Sequence, residues 1–326
     1  MKNPELVQVN FFKFLIGEFD QRGGNARRCI KASDLNLFNL DDTNAYVPLN
    51  CMYRLFDEMD KETGTEDFIS FFHHSIKVQN LHNYGSFMLS APDVMSAAKL
   101  AIQYAPYNFT SEQDGLVIDG PRSKFWINLK DKYQPGKKHA YELLLSFIID
   151  HIRLACGDNW EPIEIHYPMK KLPDLDALLP SGHQVRSKAN QDSIAVIFPT
   201  SILNQSIRYN YSEQFNPFPL ASLSLKYKLR QLLNSFRGGA IPTLEYSASL
   251  LNISVRSLQR KLRQEQSSYF QVVDEWRFSR AVELLEVSNL NIYEISQTLG
   301  YQKSESFHRS FRRWTGTTPQ QYRDQL

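Results

Sequence analysis

Three cysteines in 326 residues are too few, and odd in number, for a disulfide framework. Cys29, Cys51 and Cys156 show no paired spacing, which points to a reducing cytoplasm. No run of 18 apolar residues occurs, so no membrane span is expected. The opening MKNPELVQVNFFKFLIGEFDQ brings acids soon after a short apolar patch, unlike a cleaved signal. The chain also lacks a G-x-S-x-G elbow, a phosphate-cradling glycine loop and any zinc-ligand spacing. Adjacent His73 and His74 cannot share a strand face and would diverge on a helix. His139, His151 and Cys156 lie 12 and 5 residues apart, a spacing that does not stack on a helix, so they read as core or surface residues. Neither a metal nor a cofactor is expected, and the chain does not read as an enzyme.

An excess of one charge is missing overall, but not locally. The net charge is +2, with 42% hydrophobic and 22% charged residues, as in a soluble globular protein. From Leu220 onward there are 15 Lys/Arg against 9 Asp/Glu; the remainder has 22 against 26. A basic end beside a mildly acidic body points to an anionic partner bound at that end. The charge changes at RYNYSEQFNPFPLAS, 208–222, where Pro217 and Pro219 flank Phe218 and predict an extended connector. Two domains are expected, 1–215 and 216–326.

The basic third reads as helices. Leu225, Leu229, Leu232, Leu233 and Phe236 fall at helical spacing, with Gly238 and Gly239 as a stop. Thr243 and Ser254 read as N-caps of the next two helices. A longer amphipathic helix uses Val273, Trp276, Ala281, Leu284 and Leu285. The stretch NIYE, 291–294, has the form of a capping box and opens a helix that ends at Gly300. Ser304 reads as the cap of SESFHRSFRRWTG, which Gly316 closes, and Pro319 opens a last turn after Thr318.

A motif is written twice. SLQRKLRQ and SFHRSFRR align without a gap, 49 residues apart, matching Leu258 with Phe307, Arg260 with Arg309, Leu262 with Phe311 and Arg263 with Arg312. Each follows a short helix and a tight turn, LNIS in one case and LGYQKS in the other. This is the grammar of a helix-turn-helix used twice. Phe307, Phe311 and Trp314 are expected to be buried and the opposite face to point toward a groove.

At these residues a family resemblance appears. The segment 222–326 resembles the DNA-binding domain of AraC-type transcription regulators (the AraC/XylS family). The resemblance rests on Ala248, Leu251 and Ser254; on Ile292, Glu294, Ile295, Leu299, Gly300 and Tyr301; and on the run from Phe307 to Arg323. Ser296 departs from the family's usual Ala. The resemblance implies an all-α domain of two helix-turn-helix units joined by a long helix around 268–288, with double-stranded DNA as partner. By position it implies base contacts from Arg256, Gln259, Arg260, Ser304, Glu305, Ser306, His308 and Arg309. Arg suits guanine, Gln adenine and Glu cytosine. Lys261, Arg263, Arg312 and Arg313 are expected on phosphates, or in part paired with acids of neighbouring helices.

The first two thirds mix helical stretches, such as YRLFDEMDKETG and APDVMSAAKLAIQYAPY with Pro92 in its first turn, with a hairpin at 112–129. That hairpin alternates Leu116, Ile118, Phe125 and Ile127. YELLLSFIIDHIRLACG reads as a buried helix, and EPIEIHYP and DSIAVIFP read as strands, an α+β pattern. YVPLNCMYRLFD, LHNYGSFMLSAPDVMSAA, GDNWEPIEIHYP and DSIAVIFPTSILNQSI resemble the N-terminal sensing domain of the ornithine-regulator-like branch of the same family. The resemblance implies a small organic effector, a fatty acid or an amino acid. Lys137 and Lys138 are the candidate cations for its carboxylate. It also implies an activator in the bacterial cytoplasm and nucleoid, with RNA polymerase as a partner and a homodimer as an option. Two alternatives stay open: an enzyme or binding module tethered to DNA by its tail, and a regulator whose first domain only dimerises.

Overall fold

The computed structural model describes residues 5–63, 68–110, 112–130, 135–170, 175–179, 185–207, 224–237 and 241–325. The chain divides into two compact units. One comprises Ala221–Leu326 with the short stretch Leu37–Asn39; the other comprises Glu5–Asn36 and Leu40–Leu220. The expected connector, the 215/216 boundary and the Gly238–Gly239 stop lie outside the described residues.

The larger unit is α+β. Strands β1 (Leu6–Gln8) and β2 (Tyr46–Pro48) form a small antiparallel pair. Between them run α1 (Lys13–Gln21) and α2 (Ala26–Ala32), and after them α3 (Leu49–Glu62), α4 (Phe68–Phe72), α5 (His82–Leu89) and α6 (Val94–Asn108). The main sheet comprises β3 (Glu112–Asp119), β4 (Arg122–Leu129), β5 (Glu164–His166), β6 (Arg186–Lys188) and β7 (Ile194–Pro199), in the order β3-β4-β7-β5-β6. Among the described residues, only β5 and β6 pair in parallel. Gly120 turns the β3–β4 hairpin with φ 52, a backbone sense that glycine adopts without a Cβ clash.

One face of this sheet is the core face. Ser123, Phe125, Ile127 and Leu129 of β4 are buried there, and Phe125 and Ile127 pair with Val196 and Ile194 of β7. The helix α7 (Lys137–Cys156) packs against β7 and α3 and buries sixteen of its twenty residues. It ends at Gly157, φ 94, as its sequence predicts.

Three sequence expectations are corrected in this unit. Pro92 stands one residue before the N-cap Asp93, whose carboxylate accepts from Ser96 N, so it precedes the helix. Ile118 shares its parity with Leu116 but is 52% exposed, because β3 outruns the core toward its turn. The rings of His73 and His74 lie 3.7 Å apart, since the chain leaves α4 in a turn there and a turn does not fan neighbours out as a helix does.

The smaller unit is all-α. Helix α8 (Leu225–Ser235) precedes α9 (Leu244–Leu250), α10 (Val255–Gln264), α11 (Tyr269–Val287), α12 (Ile292–Thr298), α13 (Ser304–Thr315) and α14 (Pro319–Arg323). Ser224, Thr243, Ser254, Ser268, Asn291 and Thr318 each accept a backbone N–H at their helix starts, and Asn291 and Thr318 complete capping boxes. The long α11 buries Tyr269, Val272, Val273 and Trp276 in one half and Ala281, Leu284 and Leu285 in the other. Leu284 and Leu285 share a core with Ile295, Leu299, Phe307 and Phe311. Among the described residues of the chain, no helix is long and apolar enough to cross a membrane.

Candidate nucleic-acid interface

Two helix-turn-helix segments occupy the smaller unit, α9–α10 and α12–α13. Their turns share one hydrogen-bond scheme. Ile253 N donates to Ala248 O at 3.0 Å and Asn252 N to Ser249 O at 2.9 Å. In the second segment Tyr301 N donates to Ser296 O at 3.0 Å and Gly300 N to Gln297 O at 2.9 Å. Both are helix C-caps closed by a left-handed residue, Asn252 at φ 53 and Gly300 at φ 72. Ala248 and Ser296 fall at the same buried point of the two segments. The Ser296 hydroxyl donates to Tyr293 O at 2.7 Å, so the extra oxygen that departs from the family pattern is satisfied where it is buried.

The second helices are amphipathic in the same register. Leu258 and Leu262 of α10, and Phe307 and Phe311 of α13, are fully buried. Arg256, Gln259, Arg260 and Arg263 are exposed along one face of α10, at i, i+3, i+4 and i+7. Forty-nine residues later the same positions of α13 carry Glu305, His308, Arg309 and Arg312, exposed except for a half-buried His308. Ser304, Ser306 and Lys261 are half-buried beside these stripes. Arg309 Nη2 donates to Ser306 Oγ at 3.3 Å, which leans the guanidinium along its own helix.

Several expectations shift. The second turn is one residue longer than the first, so the N-cap of α13 is Lys303 and Ser304 is its first helical residue. Trp314 is half-buried, because its indole N–H reaches out to Asp274 Oδ2 at 3.1 Å. Arg313 ion-pairs with the same carboxylate, which draws it toward α11.

Some functional supports gave no local sequence signal. Glu265 Oε1 and Oε2 accept Leu225 N and Lys226 N at 2.8 Å each, placing a carboxylate on the N-terminus of α8. Arg277 of α11 donates Nε to Leu299 O at 3.1 Å and lies 4.3 Å over the Tyr301 ring. It thereby pins the second turn. Trp276 Nε1 donates to Asn234 Oδ1 at 2.7 Å, tying α11 to α8.

Comparison with known proteins assigns the family. The model of a helix-turn-helix domain matches residues 247–325. The model of the N-terminal arabinose-binding domain of AraC transcription regulators matches residues 23–207, more than half of the chain. The chain belongs to the AraC family of transcription regulators. The ornithine utilization regulator of Pseudomonas aeruginosa is 41% identical over 97 residues, 30% of this chain and 28% of that protein. The HTH-type transcriptional regulator VqsM of the same organism is 39% identical over 83 residues, 26% of each chain. The matches thus span under a third of either relative's length. A crystal structure of transcriptional regulator CdpR from Pseudomonas aeruginosa aligns over 78% of this chain and 85% of that one, at 21% identity and a TM-score of 0.35, a likeness too loose to carry over any feature.

In this AraC-family chain the larger unit holds a partly open cavity of about 90 Å³. Phe125 and Ile127 of β4, Leu144, Phe147 and Ile148 of α7 and Phe198 of β7 form apolar walls. Asn108, Glu112, Asp114, His151 and Tyr84 also line it. The two lysines expected to hold an effector are elsewhere. Lys137 Nζ is buried and donates to Leu129 O at 2.9 Å, and Lys138 Nζ pairs with Asp60 at 3.1 Å. Neither lines the cavity.

Proposed function

We propose that the chain is a sequence-specific DNA-binding transcription regulator controlled by a small organic effector held in its larger unit. The observation that carries this reading is the matched pair of exposed stripes, Arg256–Arg263 and Glu305–Arg312, at one register on the second helices of two like turns. Two such helices suit successive major-groove segments of one duplex. Arg260 and Arg309 would bridge guanine edges, Gln259 an adenine and Glu305 a cytosine. Arg256, Ser304, Ser306 and His308 complete the base-facing set. Lys261, Arg263 and Arg312 would hold phosphates, and Arg313 would do so only in part, given its pairing with Asp274. Domains of 1–215 and 216–326 would divide sensing from DNA binding. An activator's contact with RNA polymerase, a homodimer, a bacterial cytoplasmic location and the absence of catalysis belong to the same reading.

Footprinting on DNA upstream of neighbouring genes tests it. A discrete protected site that survives raised salt is the expected result. Uniform, salt-sensitive coating of any duplex would reduce the smaller unit to a tether.

A further inference from the structure

The cavity in the larger unit carries acids where the sheet pattern calls for apolar residues. Glu112, Asp114 and Leu116 share one face of β3, and their cross-strand partners are the buried Leu129, Ile127 and Phe125. Asn108, at the end of α6, and His151, on α7, are 2% and 9% exposed and line the same space. Among the described residues that line it there is no lysine or arginine. Burying carboxyls without a cation is costly unless they hold protons or gain a charged partner.

The hydrogen-bond inventory defines what is missing. Asp114 Oδ1, Asn108 Oδ1 and His151 Nε2 are all buried and have no partner. Burial holds the His151 imidazole at a pKa of about 4, so near neutrality its ring is uncharged and can accept at Nε2. Three acceptors therefore face the cavity without donors. A carboxylate or phosphate ligand would bring more acceptors against two carboxyls. An alcohol offers one donor. An ammonium group offers three donors, no acceptor and the missing charge.

We propose that this cavity binds a small molecule with an apolar body and a protonated primary amine, the amine lodged among Asp114, Glu112, Asn108 and His151. The aliphatic or aromatic body lies against Phe125, Phe147 and Phe198. The space is of the same order as the roughly 150 Å³ apolar cavity that admits benzene, so the body is short. The proposal rests on the reading of this unit as the sensor and replaces the carboxylate effector that the sequence suggested.

Binding carries a proton signature. Glu112 and Asp114 hydrogen-bond one another, and burial pushes both carboxyls well above their usual range, so the pair holds a shared proton on the Glu112 side and leaves Asp114 Oδ1 an acceptor. The other titratable groups facing them are Tyr84 on α5, its phenol pushed up by burial, and the neutral His151 on α7. An arriving ammonium ion displaces a proton from the acid pair to solvent. Affinity for an amine therefore rises with pH until the free amine itself loses its proton.

The test uses calorimetry on the full chain with three probes of one shape, n-pentylamine, 1-pentanol and pentanoate. Pentylamine is expected to bind tightest and pentanoate weakest, with a heat that scales with the buffer's ionisation enthalpy as proton release requires. Asp114→Asn should weaken pentylamine about tenfold or more and leave pentanol unchanged. Glu112→Gln gives the same reading should the first variant fail to fold. Tightest binding of pentanoate, failure of all three probes, or pentylamine affinity in both variants unchanged from that of the native chain would overturn the proposal. Affinity for the footprinted duplex, with and without pentylamine, separates the two readings. Amine binding that leaves DNA affinity unmoved keeps the site and removes its sensing role; specific DNA binding without any amine site does the reverse.

Discussion

Asn252 and Gly300 stand at the same point of two turns built on one hydrogen-bond scheme, yet the segments around them are stabilised differently. The first segment relies on aliphatic packing by Leu258 and Leu262, and on Ser254, which accepts Ser257 N at the start of α10. The second has one more residue in its turn and no side-chain cap on α13. It compensates with aromatic packing: Phe307 and Phe311 lie 5.7 Å apart, with Tyr301 and Tyr322 at 5.7 and 5.4 Å from them, and Arg277 fastens the turn from α11. The comparison teaches that the register of the exposed stripe can be held by caps in one copy and by ring packing and tertiary contacts in the other.

The largest effect expected from breaking that comparison is in the aromatic core. Phe311→Ala should cost about 3–5 kcal/mol, and Leu262→Ala at the matched position about 2–5 kcal/mol with a smaller central value. Denaturant unfolding measures both; a greater loss at Leu262 would show that the first segment, not the second, leans on its core. Next come the exposed stripes. Arg260→Ala and Arg309→Ala should each weaken specific binding by about 1–3 kcal/mol, each relaxing preference in its own half of the site. Arg312→Ala should lower affinity for every duplex and reduce the salt slope by about one. Titrations of specific and scrambled duplexes over a salt series distinguish these outcomes, and equal losses on both duplexes would make Arg260 and Arg309 phosphate clamps.

Smaller effects sharpen the turns. Gly300→Ala should destabilise by about 1–2 kcal/mol, since φ 72 crowds a Cβ, whereas Asn252→Gly should be near neutral. Thermal melts of the two variants should therefore move by clearly different amounts. Ser254→Ala should cost about 1 kcal/mol, and Lys303→Ser should recover a few tenths or more by adding a cap that α13 lacks. A Lys303→Ser variant with an unchanged melting temperature would mean that the extended backbone at 303 holds its hydroxyl away from the first turn.

Legibility differed between the two units for a physical reason. Helix starts depend on residues three apart, so Thr243, Ser254 and Asn291 were readable as caps and all three cap their helices. The same reasoning misplaced the start of α13 by one residue, because turn length is set by how α12 and α13 share a core with α11. In the larger unit the β3–β4 hairpin and the buried α7 were readable from alternation and apolar length. The strand β6, Arg186–Lys188, was not: it has no apolar residue and exists only because β5 offers it an edge.

By itself, then, the sequence determined whatever short-range spacing controls: the helix periods and caps, the 49-residue repeat of Leu258–Arg263 in Phe307–Arg312, and the AraC-family motif from Phe307 to Arg323. Only the tertiary structure decided which charges are spent and which are stranded. Glu265 serves a helix 40 residues upstream, Asp274 takes Arg313 from 39 residues away, and Glu112 and Asp114 line a cavity that α7 also lines. A carboxylate's cost or benefit depends on the partners and solvent around it. Those partners come from distant parts of the chain, so local residue spacing cannot reveal them.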